Sequence, residues 1–290
     1  AHTKRTKILM FDGCYHGHGD SLMAGKTAGI PDVVAADTIT VPFNDIEAAQ
    51  EAIRRAADEL ACVIVEPVAA NMGVVAPRSG FLSRLRELTT RDGIVLIFDE
   101  VVTGFRVEYA GAQGRVGIQP DVTTFGKIIG GGLPIGALGG PKRIMQRLAP
   151  EGDVYHGGTF AGHPLSMAAG IASLRELAEH PPYEQMERLT QRLAEGLGQA
   201  ARAAGVPVQI NAVGSMFTLF FSAAPVTNFA QAKAGDREQF ARWAHALLDH
   251  GILVPPSPFE ALCVSSAHTE SQITRFIQAA RQAFTRSRAE

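Results

Sequence analysis

An acid and a lysine at the ends of apolar stretches are the side chains best suited to chemistry. The run IVLIF, residues 94–98, stops at Asp99 and Glu100, and Lys127 lies in TTFGKIIGGGLPIGALGG among glycines and aliphatic residues. Apolar surroundings disfavour the charged form of an amine, and a neutral amine can form a Schiff base with an aldehyde. On its own, however, Lys127 is better explained as a lysine at a helix start before a flexible glycine loop.

Taken together, Asp99 and Lys127 indicate a pyridoxal phosphate site. This cofactor requires a lysine amine at its aldehyde carbon and an anion beside its ring nitrogen, so that the ring can accept electrons. A buried aspartate at a strand end supplies that anion. Glycines 130–132 allow the backbone or a cofactor to approach closely. Tyr15 is a candidate to cover one face of the ring.

Other polar residues also follow short apolar runs. Glu66 comes after CVIV, and His16 comes shortly after KILMF. Ligands of parallel α/β sheets bind at the carboxyl ends of the strands, so we expect these groups to converge with Asp99 and Glu100 on one crevice. For each carboxylate the alternative is a structural one, in which it caps the next helix or binds backbone N–H groups.

The chain alternates short apolar runs with amphipathic helical patterns. Continuous rather than alternating apolar strands indicate a sheet covered on both faces, so we predict an α/β fold with a mostly parallel sheet between helices. The sequence pattern changes after residue 163, from alternating strands and helices to mostly helices, and we place a boundary near residues 178–182. We predict a large domain over residues 1–178 and a smaller α+β domain over residues 179–290. Predicted strands are 7–11, 62–67, 94–98, 122–126, 135–140 and 214–221; predicted helices are 45–60, 80–93, 164–180, 183–205, 236–251 and 269–284.

Composition excludes several classes of protein. The 290 residues are 46% hydrophobic with a formal net charge of −2, which argues against binding to nucleic acid or to an anionic membrane surface. Cys14, Cys62 and Cys263 are far apart, so neither a disulfide framework nor a metal site is expected. No apolar run has the length of a membrane span, and no signal peptide is recognisable. We therefore expect a cytoplasmic protein.

The order of several motifs resembles the class III aminotransferases of PLP fold type I, and within them the aminomutases that convert glutamate-1-semialdehyde to 5-aminolevulinate. The resemblance covers nearly the whole chain. The motifs are CYHGHGD, VIVEPVAANMG, FDEVVTGFR, TTFGKIIGGGLPIGALGG, GGTFAGHPL, APVTNFAQAKAGD and PSPFEA.

The resemblance implies roles for the cofactor-binding residues. Lys127 would form the Schiff base with pyridoxal 5'-phosphate and move protons between cofactor and substrate, and Asp99 would pair with the ring nitrogen. Val101 and Tyr15 would pack on the two ring faces. His16 and Glu66 would support the residues that contact the cofactor rather than contact its reacting atoms themselves.

Three further residues would complete the shared site. Asn71 would lie near the phenolic oxygen of the ring or the substrate. Thr159 would reach the phosphate of a neighbouring subunit, which implies a homodimer. Glu260 would sit at the substrate end and disfavour external carboxylate substrates.

Two departures from the family pattern keep other functions open. The family's chains begin well over a hundred residues earlier, including the turn that holds the cofactor phosphate, so a non-catalytic fragment or partner subunit is an alternative. The segment after YHGHGD is about ten residues shorter than the mobile gate of the aminomutases, so a transaminase acting on a β- or ω-amino acid is another. In each catalytic case the substrate is a small amino acid or amino aldehyde, and the cofactor cycles between pyridoxal and pyridoxamine 5'-phosphate.

Overall fold

A computed structural model describes residues 1–25 and 27–288 of the chain. They form two compact units. The first contains residues 1–67 and 77–180, and the second contains residues 68–76 and 181–290. The division into domains after residue 178 stays a prediction.

A six-stranded sheet is the centre of the first unit. Its strands lie in the order β2-β1-β3-β4-β5-β6; the first five are parallel and β6 runs antiparallel to β5. The predicted α/β class with a mostly parallel sheet is confirmed. The strands are β1 (Lys7–Asp12), β2 (Thr38–Pro42), β3 (Leu60–Val65), β4 (Val95–Asp99), β5 (Val122–Gly126) and β6 (Gly136–Gly139).

The inner strands form where the sequence is continuously apolar. Leu9 and Phe11 of β1, Val63 of β3 and Leu96 and Phe98 of β4 are fully buried. Such runs suit strands covered on both faces. The edge strand β2 was not predicted, because TITVP mixes threonine with β-branched apolar residues and ends in proline, which is tolerated at a sheet edge.

Helices connect the strands of the first unit. The second of them is amphipathic and buries Ala49, Ile53 and Ala56, and the Asp45 side chain caps it by accepting a hydrogen bond from Ala48 N at 2.9 Å. The helices of this unit are α1 (Asp32–Ala35), α2 (Ile46–Ala56), α3 (Phe81–Arg91), α4 (Gly111–Val116), α5 (Lys142–Met145) and α6 (Pro164–Glu179).

The second unit contains a three-stranded antiparallel sheet with helices. Its core is aromatic: Trp243 is fully buried and stacks on Phe284 with ring centroids 5.7 Å apart. The strands lie in the order β7-β8-β9. The elements are α7 (Tyr183–Ala203), β7 (Gln209–Val213), β8 (Met216–Phe220), α8 (Phe229–Lys233), α9 (Arg237–Asp249), β9 (Leu262–Cys263) and α10 (Glu270–Ser287).

None of the helices in the described ranges combines the length and apolar character needed to cross a bilayer. Within those same ranges, no three His, Cys, Asp or Glu side chains are grouped so that they could hold a metal ion.

Residues 68–76 form a tight turn that packs inside the second unit. Ala69 and Val75 pair across it, and both Gly73 (φ +98°) and Val74 (φ +50°) have left-handed backbone. A Cβ on Gly73 would overlap the Phe220 ring. Glycine is therefore required here for two reasons, the backbone angle and the close approach of the ring.

Gly73→Ala is expected to lower the free energy of unfolding, because the new methyl group overpacks against Phe220. The loss should exceed by about 1–3 kcal/mol the loss caused by Gly→Ala at a left-handed position with open space around the Cβ. The matched control is Gly117→Ala, since Gly117 has φ +67° but open space around its Cβ position. Chemical denaturation of both variants gives the difference. Equal losses of stability would show that the Phe220 contact does not constrain this turn.

Candidate active site

Adjacent strand ends bring Asp99 and Lys127 to the same edge of the sheet. Asp99 ends β4 and lies opposite Thr124 of β5, and Lys127 follows β5 directly. Parallel neighbouring strands end at the same edge of a sheet, so Asp99 and Lys127 both project from its carboxyl edge.

The Asp99 carboxylate is buried and held on both oxygens. His16 Nδ1 lies 2.7 Å from Oδ2, and the backbone N–H of Val101 donates to Oδ1 at 3.0 Å. A carboxylate only accepts hydrogen bonds, so Nδ1 of His16 carries the proton and donates it. His16 is thus a direct partner of Asp99. Its predicted role behind a cofactor-binding Asp99 stays a prediction.

Two buried polar atoms beside Asp99 lack hydrogen-bond partners within the part of the chain that the structure describes. They are His16 Nε2 and Thr124 Oγ1. Buried polar atoms are almost always hydrogen-bonded in native proteins, to protein or to a bound molecule. Both atoms belong to residues that adjoin Asp99, His16 through its hydrogen bond and Thr124 through the strand register, so they are available to a bound molecule at this end of the sheet.

Glu66 holds the turn after β1 in place. Its buried carboxylate accepts a hydrogen bond from the backbone N–H of Tyr15 at 2.8 Å. Tyr15 as a residue is about half exposed, at 47%. Glu66 therefore fixes the backbone from which Tyr15 and His16 project. The predicted packing of the Tyr15 ring on a cofactor stays a prediction.

Lys127 differs from its expected setting. Its side chain is exposed, not enclosed by apolar groups, and its backbone is left-handed at φ 48°. Lys127 is the first residue of the 3₁₀ helix Lys127–Gly130, which follows β5 directly. Left-handed backbone is strained for a non-glycine residue, and such strain is concentrated at functional sites.

Val101 packs against Gly126, the residue before Lys127. A Cβ built on Gly126 would lie 3.2 Å from Val101 Cγ1. This is tighter than ordinary van der Waals contact, so glycine at 126 lets the loop after β4 lie against the end of β5. The predicted packing of Val101 on a cofactor ring stays a prediction.

The sequence predicted that Glu100 would converge with Asp99 on one crevice, and this prediction is wrong. Its carboxylate is fully buried and accepts hydrogen bonds from Thr103 Oγ1 at 2.7 Å, Ala112 N at 2.7 Å and Gln113 N at 2.8 Å. Consecutive side chains of an extended strand point to opposite faces, so Asp99 and Glu100 cannot both face the same space. Glu100 therefore has the structural role that was the alternative for each carboxylate: it caps the first turn of α4.

The remaining predicted residues are Thr159, Asn71 and Glu260. Thr159 is exposed in the segment before α6 of the first unit. Asn71 and Glu260 belong to the second unit, and the backbone oxygen of Glu260 accepts a hydrogen bond from Thr218 Oγ1 at 3.1 Å. Their functional roles stay predictions.

The sequence-based prediction missed Thr124 and Gly126. Thr124 is the register partner of Asp99, and Gly126 allows the Val101 contact. Both stand in the stretch TTFGK just before Lys127. The period-two geometry of a strand, which places Thr124 and Gly126 on the same face, was the available signal.

Comparison with known proteins identifies the family. The model of the aminotransferase class-III family matches residues 1–280. The chain belongs to the class III aminotransferases. It is 50% identical, over 99% of its length and 69% of the relative's length, to glutamate-1-semialdehyde 2,1-aminomutase 2 of Brevibacillus brevis. It is also 50% identical, over 97% of the chain and 69% of the relative, to the glutamate-1-semialdehyde 2,1-aminomutase of Desulfosudis oleivorans.

Solved structures share the fold of this class III aminotransferase. An ω-transaminase from Sphaerobacter thermophilus superposes with a TM-score of 0.92 at 35% identity, covering 99% of this chain and 70% of its own. A variant of a glutamate-1-semialdehyde aminomutase from Pseudomonas aeruginosa, in complex with PMP, gives 0.85 at 26% identity, covering 97% of this chain and 66% of its own.

Glu100→Gln is expected to lower the free energy of unfolding of this class III aminotransferase by about 1–3 kcal/mol, because one buried N–H or O–H donor then faces an amide NH₂. Glu151, exposed in a turn, supplies the matched control Glu151→Gln, which should change stability by less than about 0.5 kcal/mol. Urea denaturation measures both. A Glu100→Gln protein as stable as the control would contradict the capping role.

Proposed function

We propose that this chain transfers amino groups with pyridoxal and pyridoxamine 5'-phosphate, and that its reaction is the conversion of glutamate-1-semialdehyde to 5-aminolevulinate. One observation carries the chemistry: Asp99, buried and held by His16, ends the strand next to the one that delivers Lys127. A carboxylate and an amine so arranged can contact opposite ends of one flat molecule.

The residues at the sheet edge fit this cofactor. A carboxylate has about four acceptor positions, and among the described residues only His16 and the Val101 amide occupy those of Asp99. Thr124 and His16, which adjoin Asp99, each carry a buried polar atom without a hydrogen-bond partner within the described ranges. When bound, the cofactor supplies an aldehyde carbon that joins amines and a ring that takes up the electrons released by a substrate carbon.

Each side chain then has a defined task. Asp99 holds a proton on the ring nitrogen, and His16 keeps the carboxylate in position for it. Lys127 Nζ takes a proton from one substrate carbon and returns it to another. Val101 and the Tyr15 ring confine the ring from its two faces, and Glu66 keeps the Tyr15 backbone in place through the bond at 2.8 Å.

The names of the sequence relatives support the proposed substrate. Curated proteins about 50% identical over nearly the whole chain are named glutamate-1-semialdehyde aminomutases. Glu260 and Asn71 keep the roles that the resemblance gives them, at the substrate end and near the phenolic oxygen. The Thr218 hydrogen bond fixes the backbone of Glu260, while its carboxylate is exposed and available to repel a second carboxylate.

A transaminase acting on a β- or ω-amino acid is the second candidate. The backbone superposes well on that of an ω-transaminase. Substrate choice, however, depends on side chains and loops more than on the backbone scaffold, because unrelated reactions share one fold. The sequence relatives therefore weigh more than the superposition in favour of the aminomutase.

A homodimer is the proposed assembly, with Thr159 reaching the cofactor phosphate of the second copy. Large apolar side chains are exposed around it: Tyr155 at 87%, Phe160 at 76% and Leu165 at 66%. Grouped exposed apolar residues are typical of protein–protein interfaces. A second copy of this chain would cover them and receive Thr159 at its own site.

The proposed reaction is tested with glutamate-1-semialdehyde as the only substrate. Protein loaded with the pyridoxamine form is expected to produce 5-aminolevulinate without any added amino acceptor. Lys127→Ala should reduce this rate about a hundredfold or more, because the proton carrier is lost. Lys142→Ala, which removes an exposed lysine of α5, should leave the rate unchanged.

Other outcomes of these experiments would support one of the two alternative functions. Turnover of a β-amino acid with a 2-oxo acid, and no 5-aminolevulinate from the semialdehyde alone, would favour the transaminase. A protein that stays colourless with added pyridoxal phosphate, with no cofactor mass fixed on Lys127 by borohydride, would favour a non-catalytic subunit.

Phe160→Asp is expected to shift the protein from a dimer toward the 30.9-kDa chain mass, because a charge would be buried without a partner in the interface. Light scattering after size exclusion measures the mass. Val33, 78% exposed on α1, supplies the control Val33→Asp, which should remain dimeric. Equal masses for both variants would contradict an interface at Phe160.

A further inference from the structure

A cavity of about 390 Å³ lies within the second unit, between α7, β8, β9 and α10. This volume falls in the range of small-molecule sites, about 300–1,000 Å³. Its floor is apolar. The floor residues are Leu193, Phe217, Ile252, Leu262, Ile273 and Phe276.

The first polar group at the rim is the Arg275 guanidinium. It donates one hydrogen bond to His250 O at 3.0 Å and lies over Gly251, where a Cβ would come within 2.9 Å of Nη2. The neighbouring carboxylate of Asp249 is bound to Arg286 at 2.6 Å. Among the described residues this hydrogen bond uses one of the five N–H donors of the Arg275 guanidinium.

Two further donors stand beside it. His268 Nδ1 accepts the backbone N–H of Ser265 at 2.9 Å, so in the neutral ring the proton is on Nε2. Gln272 Oε1 accepts from Thr269 N at 2.8 Å, which leaves the amide NH₂. The acceptor atoms of both side chains are therefore occupied inside the unit, and their donors remain.

The lining has donors and a positive charge at the rim but no acidic side chain among its described residues. A cationic ligand would meet Arg275, and a purely apolar one would leave the donors without partners. We propose that this cavity binds a small organic anion, a carboxylate carried on an apolar or aromatic body. The inference does not depend on the proposed amino-group transfer, because the cavity includes none of the residues assigned to it.

Cys263 offers a local readout, since it lines the cavity and is exposed. Cys14 is buried, and burial raises the pKa of the Cys62 thiol to about 11, so both react slowly. Phenylacetate is the probe, and iodoacetamide is the neutral thiol reagent. Phenylacetate is expected to slow the alkylation of Cys263, whereas phenylacetamide and phenethylammonium at equal concentration should not.

Two variants test the rim in the full chain. Arg275→Gln should weaken the protection by phenylacetate about tenfold, because a charged hydrogen bond is lost. Gln272→Glu keeps a residue suited to cap α10 at the same position, yet it places a negative charge at the rim, so protection should disappear. Arg281→Gln, on the same helix outside the cavity, should behave as the unchanged protein.

The proposal is overturned if phenylacetate gives no protection, if phenylacetamide protects equally, or if Gln272→Glu retains full protection. Thermal unfolding of each variant checks that the fold is intact. Should Arg275→Gln unfold, the Gln272→Glu result decides alone.

Discussion

The hydrogen bond between His16 and Asp99 is the constraint on which the site depends. It is 2.7 Å long, buried, and joins the turn after β1 to the end of β4, two strands that are separated by β3. The end of β3 is tied into the same arrangement, because Glu66 holds the backbone of Tyr15. In a low-dielectric interior such bonds are strong, and a carboxylate left without a partner there is costly.

The neighbouring acids Asp99 and Glu100 have different roles because their side chains lie on opposite faces of the sheet. Alternation of side chains across the sheet sends the two carboxylates to opposite faces. One meets His16 and the open end of the sheet, and the other is saturated by hydrogen bonds from α4 and Thr103. The structural acid holds the loop that carries Val101, so both carboxylates contribute to the same end of the sheet in different ways.

The second unit has chemistry of its own. Its cavity combines an apolar floor with a rim whose acceptors are already used, a pattern that selects an anion by leaving only donors exposed. Specificity for an anion arises here both from the hydrogen-bond donors at the rim and from the absence of acidic side chains among the described lining residues. The first unit, by contrast, places Asp99 at the end of β4 and Lys127 directly after the neighbouring strand β5. This arrangement suits a molecule whose two ends differ chemically.

Much of this molecule followed from the sequence. Continuous apolar runs predicted β1, β3 and β4, and short strand-like stretches predicted β5, β6 and β8. Helical periodicity predicted α2, α3, α6, α7, α9 and α10, because these helices bury an apolar face whose period is visible locally. Asp99 and Lys127 were singled out for the same reason, as polar residues at the ends of such runs. The short strands β2, β7 and β9 were missed, since their formation depends on pairing with distant strands.

The sequence by itself determined the fold class and the family, which are carried by local patterns and by the order of motifs. Only the tertiary structure decided that His16 touches Asp99, that Glu100 turns away, that Lys127 is exposed with left-handed backbone, and that Asn71 groups with the second unit. These features depend on contacts between residues far apart in the chain, and no local pattern encodes which distant groups will meet.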